Sequence, residues 1–210
     1  MADRRTSILE AACRVIARRG VRGLRIDELA ADAHVSEALI YYYFDDRSDL
    51  LRRTLEFVND RAERYTDLSV EGDLTARETL ERMLLLEFQH DPSVVENSTA
   101  WGEFRASAVF DDDLQRQLRA STASWIRDVA AAVSLAQKEV GGPEKVDAVA
   151  AAERLTSLVE GLSERWLSGS MSLERAREHV RSAVAMELEG NRSETAEPGG
   201  SHSPVSTARP

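Results

Sequence analysis

Three consecutive tyrosines, Tyr41, Tyr42 and Tyr43, stand shortly before Arg47 in a chain of 210 residues. Phenolic hydroxyls can donate to phosphate oxygens while their rings lie against sugars, so tyrosines beside arginines suit contact with a nucleic-acid backbone. Tyr43 is read equally well as a half-buried packing residue. Enzyme chemistry finds little support. The four histidines, His34, His90, His179 and His202, are scattered, with no His-Glu-x-x-His pair to hold a metal. No Gly-x-Ser-x-Gly elbow is present, Gly141-Gly142-Pro143 is too short for a phosphate cradle, and Cys13 has no base near it in sequence. The chain is therefore expected to be no enzyme, with no cofactor and no metal site.

The tyrosines need an element to position them. Ile26, Leu29 and Ala30 recur at helical spacing and form one apolar face. Ala33-His34-Val35 breaks that period, Ser36 is a good N-cap, and Leu39, Ile40 and Phe44 provide a second face. Two short helices around a tight turn suit a helix-turn-helix, whose second helix can enter the DNA major groove. Residues 36–43 form the expected recognition helix. Ser36, Glu37, Ala38 and Tyr41 lie near its start, where base edges are reached, and Tyr41 and Tyr42 are placed for the backbone. Glu37 can accept from a cytosine amino group or complete the helix start, where negative charge is stabilised; the second role is favoured. Arg4 and Arg5 can act as a basic arm, and Arg25 can meet the backbone at the start of the second helix.

The segment LRIDELAADAHVSEALIYYYFDDRSDLL resembles the N-terminal domain of TetR/AcrR-type transcriptional regulators. Their signature is an apolar helix, Ala-Gly-Val-Ser, Leu-Tyr-x-x-Phe, and a basic residue before a Leu-Leu pair. The matching positions are Ala33, Val35, Ser36, Leu39, Tyr41, Phe44, Arg47, Leu50 and Leu51, with Ile8, Ala12, Val15, Ile16, Gly20 and Gly23 resembling the first helix and its end. The likeness covers roughly the first 65 residues with specific motifs. It implies that Arg47 binds phosphate. His34 departs from the pattern, standing where the family has glycine. If that turn is left-handed, histidine is tolerated better than a branched residue.

Charge is unevenly spread. Residues 1–65 hold 12 Arg against 12 Asp or Glu, whereas residues 66–210 hold 15 Lys or Arg against 25, the whole net charge of −10. A uniformly acidic protein is repelled by DNA, so phosphate contact has to come from locally placed arginines, with strong salt dependence. The length allows one small domain and one helical domain of about 120 to 140 residues. No apolar run is long enough for a membrane, the N-terminus lacks a signal-like stretch, and the single cysteine forms no internal disulfide. A cytoplasmic location is expected.

Beyond residue 47 the pattern remains helical. Leu51, Leu55, Val58 and Ala62 stripe a fourth helix after Ser48, read as its N-cap. Asp73-Leu74-Thr75 begins a fifth, Asp91-Pro92-Ser93 separates a sixth, and Asp111 begins a seventh. Gly141-Gly142-Pro143 is a stop, and two more helices follow. The expected fold is all-α with about nine helices: a helix-turn-helix domain over 1–47, a helical domain for ligand binding and dimerisation over 48–189, and a disordered Ser/Pro/Gly-rich tail over 190–210.

The resemblance further implies that a small-molecule effector enters the second domain and shifts the two heads of a dimer. Such control requires different ligand affinity for the two shapes. Candidate lining residues are Glu87, Phe88, Trp101, Glu103, Phe104, Arg105, Phe110, Trp125, Glu160 and Trp166. Tryptophans serve a plain core equally well. Rings and isolated acids together suit a cationic, partly apolar molecule. Trp101-Gly102-Glu103-Phe104 is similar to a subgroup that includes choline-responsive repressors. A homodimer is expected through Val149, Leu158, Gly161 and Leu162 on the eighth helix and Val180, Ala183 and Val184 on the ninth, faces that can also pack internally. A pair of heads reads a palindromic operator where one helix reads too few bases. The combined expectation is a ligand-responsive DNA-binding repressor, the alternative being a helical protein-binding adaptor.

Overall fold

The computed structural model describes residues 3–67, 72–140 and 147–189. Among these residues the chain forms nine helices and no strand. They are α1 (Arg4–Arg19), α2 (Ile26–Ala33), α3 (Glu37–Tyr43), α4 (Arg47–Thr66), α5 (Ala76–Leu85), α6 (Pro92–Ala108), α7 (Asp112–Val140), α8 (Ala148–Leu167) and α9 (Leu173–Glu189). The stop expected at 141–143 and the tail expected over 190–210 lie outside the described residues. None of the described helices is long and apolar enough to cross a membrane.

Local chemistry accounts for the helix ends. Gly20, with φ of 76°, closes α1 by donating to Ile16 O. His34 closes α2 in the left-handed region, at φ 53° and ψ 46°, and donates back to the last turn. The departure from glycine is thus carried by a residue that tolerates this region better than most. Ser36 caps α3 by accepting from Leu39 N. Asp46, not the expected Ser48, caps α4, its carboxylate accepting from Asp49 N. A carboxylate at this position satisfies an orphan amide and meets the positive end of the helix dipole. Thr75 and Glu78 form a reciprocal capping box on α5, and Asp91 caps α6 with Pro92 in its first turn.

Two apolar cores result. The first gathers Ile8, Ala12, Val15 and Ile16 of α1 with Leu29, Ile40 and Phe44. It does not stop at residue 47: Leu50, Leu51, Leu55 and Val58 of α4, Ala100, Phe104 and Ala108 of α6, and Leu114 and Leu118 of α7 belong to it. The second is built from α5, α7, α8 and α9 around Leu80, Leu84, Phe88, Val133, Leu155, Val159 and Val184. Helices α4 and α6 therefore hold the head against the larger helical body.

The left-handed turn at His34 makes a testable demand. His34→Gly is expected to retain or raise stability, whereas His34→Val loses about 1–2 kcal/mol through the clash of a β-branched side chain in this region. Urea denaturation of the three proteins measures both effects.

Candidate DNA-reading face and ligand cavity

Helix α3 is divided lengthwise. Ile40 and the following Phe44 are buried in the first core, while Glu37, Ala38, Tyr41 and Tyr42 face outward. Tyr41 is 55% exposed and Tyr42 78% exposed, so both rings stand adjacent on the open face of α3. Tyr43 is half-buried against the first core and makes an edge contact with Tyr42. The expected set is brought to one end of the molecule with different freedom. Arg4 is exposed at the start of α1, while the Arg5 guanidinium lies 6.0 Å from the centre of the Phe44 ring. Arg25 is paired with Asp27, which raises the arginine's pKa and lowers the carboxyl's through their shared hydrogen bonds. Arg47 donates to Val21 O at 2.6 Å, so part of its hydrogen-bonding capacity ties α4 to the loop after α1. The Ser36 hydroxyl serves its cap.

A cavity of about 100 Å³ opens between α4, α5, α6, α7 and α8. An engineered apolar cavity of about 150 Å³ admits benzene, so this space suits a ligand of similar size or smaller. Tyr65, Trp101 and Trp125 supply aromatic wall, Met83 and Val159 aliphatic wall, and Asn97 an amide. Five carboxylates border it, Glu63, Glu87, Asp128, Glu160 and Glu164, against one basic side chain, Arg105. That imbalance favours cations.

The two inner carboxylates are not equivalent. Glu160 is held by Arg105 in an ion pair and accepts from Trp101 Nε1 at 3.1 Å. The Arg105 guanidinium also stacks 5.6 Å from the Trp101 ring centre and reaches Thr122 Oγ1 at 3.1 Å. Glu87 follows the end of α5 and accepts from Tyr65 Oη at 2.7 Å. It is packed among protein atoms, and the limited surface it retains borders the cavity. Loss of solvation pushes its pKa up to about 7, with the Glu160 charge acting in the same direction and the Tyr65 hydrogen bond opposing. Tyr65 in turn is raised well above its ordinary value of 10.0 by burial and by the adjoining carboxylate.

Tyr65 links Glu87 to a buried polar network. Asn97, 2% exposed, donates to Val58 O at 3.1 Å and approaches Tyr65 Oη at 3.5 Å. Arg61 of α4 donates to Asn97 Oδ1, Glu96 Oε1 and Ser93 O on α6. Tyr65, Asn97, Arg61 and Glu96 each find a partner in this network, the condition under which buried polar groups specify one arrangement.

Glu87, Trp101, Arg105, Trp125 and Glu160 line the cavity, whereas the other five expected lining residues do not. Phe88 and Phe104 are wholly buried in the second and first cores, respectively. Phe110 is 77% exposed at the α6–α7 junction, with Arg22 stacked 5.0 Å from its centre. Glu103 points at the end of α1, its Oε2 lying 2.6 Å from where a Cβ on Gly20 would stand. Trp166 packs against Phe88 and His90. Tyr65, Met83 and Asn97 were missing from the sequence expectation. A phenol closing the apolar stripe of α4 and an asparagine amid α6 were the available signals.

The expected dimer residues also separate. Leu162, Val180, Ala183 and Val184 are buried inside the single chain, filling the second core. Val149 and Gly161 are exposed and Leu158 is half-buried, and a Cβ on Gly161 would meet open space.

The geometry agrees with the comparisons. Residues 8–54 match the model for bacterial regulatory proteins of the tetR family, and residues 76–189 match that for the C-terminal region of BetI-type transcriptional repressors. The HTH-type transcriptional regulator BetI of Brucella abortus (strain 2308) is 28% identical over 116 residues, which are 55% of this chain and 59% of that protein. The BetI of Rhizobium meliloti (strain 1021) is 28% identical over 115 residues, 55% of this chain and 57% of its own length. The chain thus spans less than two thirds of the curated relatives it matches. A crystal structure from Rhodococcus sp., described as a TetR-family transcriptional regulator, has a TM-score of 0.81 and 44% identity, covering 90% of this chain and all of that one. A transcriptional-regulator structure from Saccharomonospora viridis in complex with choline has a TM-score of 0.75 and 26% identity, covering 89% and 96%. These matches lend no support to an adaptor. With the divided recognition helix at one end and a carboxylate-lined cavity in the body, the chain belongs to the TetR family of transcriptional regulators, with a BetI-type C-terminal region, a family of regulators rather than enzymes.

Proposed function

We propose that the protein is a cytoplasmic repressor that grips a palindromic operator as a homodimer and lets go when a small organic cation fills the cavity. One observation carries the ligand class: Glu87 borders an aromatic-walled cavity whose single basic side chain is already paired with Glu160. A carboxylate so placed is costly to leave charged in a low-dielectric setting. A quaternary ammonium supplies the missing charge without demanding a hydrogen bond, and its methyl groups lie well against ring faces. The choline held by the Saccharomonospora viridis neighbour supports the same class.

The outward face of α3 enters the major groove. Ala38 meets base edges, Glu37 completes the helix start beside them, Tyr41 and Tyr42 meet the backbone, and Arg4, Arg5, Arg25, Ser36 and Arg47 border the contact. The second copy packs on the outward side of α8 and α9, where Val149 and Gly161 are joined by Met186, 69% exposed. Leu162, Val180, Ala183 and Val184 support that face from within. The split of the head at residue 47 from the body over 48–189 describes the division of labour, although α4 and α6 carry side chains into both.

Replacing both Tyr41 and Tyr42 by Ala is expected to weaken binding to DNA from the protein's own promoter region by about 1–3 kcal/mol, on the scale of a lost specific contact, with the fold retained. Fluorescence anisotropy across a salt series measures the loss. Choline is expected to quench the cavity tryptophans of the native protein and release the DNA. Trp101→Ala should weaken choline binding at least tenfold, the cost of losing a desolvated cation–π contact and the wall around it, whereas Glu103→Gln leaves it unchanged. Equal loss in both variants would refute the placement of the ligand. Sedimentation at micromolar concentration is expected to show a dimer, and Gly161→Arg combined with Met186→Glu a monomer that no longer binds DNA. A native protein that sediments as a monomer removes the two-headed reading.

A further inference from the structure

We propose that a proton and the cationic ligand compete for the Glu87 carboxylate, so that filling the cavity expels the proton Glu87 otherwise carries. This rests on the proposed cation-binding function and adds its regulation. Three geometric facts lead to it. Glu87 lines the cavity with a single hydrogen-bond partner, Tyr65 Oη at 2.7 Å. Arg105, the sole basic side chain among the described lining residues, gives its Nη2 to Glu160 and Thr122 and faces the Trp101 ring, while its buried Nε has no partner. The other charged lining residues, on α4, α7 and α8, are all acidic.

Those neighbours can be named element by element. Helix α4 presents Tyr65 and Glu63, the latter accepting from Asn59 at 2.8 Å. Helix α5 presents the neutral Met83, α6 Arg105, α7 Asp128, and α8 Glu160 and Glu164. His90 is near in sequence, but its ring lies against Trp166, with centres 6.0 Å apart, and is outside the cavity lining. An ionised Glu87 thus meets one hydroxyl and the like charge of Glu160. A proton relieves this in one way and a bound cation in another. The two cannot be combined, because a protonated carboxyl no longer attracts the cation.

The sign follows. Glu87 titrates at about 7, so in the empty cavity it is largely neutral at pH 6 and largely ionised at pH 8. A cation beside it lowers that value. Ligand affinity therefore rises with pH, by about tenfold from pH 6 to pH 8, with close to one proton released per ligand at the lower pH. The folded, ligand-free protein holds this proton more tightly than the unfolded chain does. The stability it contributes is present at acid pH and lost as pH climbs through 7.

Isothermal titration with choline, whose quaternary nitrogen carries no titratable proton, tests the proposal on the full chain at pH 6, 7 and 8 in two buffers of unlike ionisation heat. The expected result is the affinity slope above and buffer-dependent heats that report proton release. Glu87→Gln should bind choline weakly and without a pH slope, and its ligand-free melting temperature should fall less between pH 6 and pH 8 than that of the native protein. His90→Asn should keep the native slope. Should Glu87→Gln fail to fold, the buffer comparison on the native protein and the His90→Asn control decide. Choline binding that is flat with pH and releases no proton overturns the competition while leaving the cation-binding function standing, as does a slope that vanishes in His90→Asn. Absence of choline binding at every pH overturns both.

Discussion

Helix α6 is buried on two sides at once, and the rest of the molecule depends on that constraint. Ala100, Phe104 and Ala108 sit in the core of the head against α1, while Asn97, Trp101 and Arg105 border the cavity. The Glu103 side chain lies against Gly20 at the end of α1. Interiors at crystal-like density do not deform smoothly. A displacement of α6 that suits an occupied cavity is consequently felt by α1, and through it by the helix that carries the tyrosines. Helix α4 repeats the arrangement, with Leu51, Leu55 and Val58 in the head's core and Ala62 and Tyr65 at the cavity.

Electrostatics divides along the same lines. The head has many arginines, yet most are engaged within the protein: Arg14 and Arg18 with Asp32, Arg19 with Glu28, Arg25 with Asp27, and Arg47 with a backbone carbonyl. Arg18 and Asp32 shift in the sense of a pair, the arginine up and the carboxyl down through their hydrogen bonds, although burial of Asp32 works the other way. Such exposed pairs contribute little to stability. The pairs of Arg14, Arg18 and Arg19 join α1 to α2, while Tyr41 and Tyr42 stay exposed on α3. In the body, part of the excess of acid that makes the chain anionic lines the cavity.

Much of the head was legible from residues in a row. Its helix ends are set by local chemistry, and the apolar faces of α2 and α3 recur at the helical period. His34 is a residue that tolerates a left-handed turn, but only the structure shows that the turn is one. The misplacement of the α4 cap at Ser48 has a simple cause: Asp46 and Ser48 are both good caps, and the choice depends on how tightly the chain turns after Phe44. The boundary at residue 47 marks a change of role, but the apolar core ignores it, since a three-helix head of this size is completed by apolar side chains of α4, α6 and α7.

The cavity was only half legible. A phenylalanine filling a core and one lining a ligand site leave the same periodic trace, so Phe88 and Phe104 could not be told from Trp101 and Trp125. The same ambiguity hid the inward burial of Leu162, Val180 and Val184. What distinguishes them is the gap between five helices whose residues lie far apart in the chain, and with it the pairing of Arg105 to Glu160 instead of Glu87. Sequence alone determined the helices, the cap at Ser36 and the tyrosine face, because those depend on neighbours within a turn or two. Only the tertiary structure decided which carboxylate was left without a base, because charge pairing and loss of solvent are properties of packing.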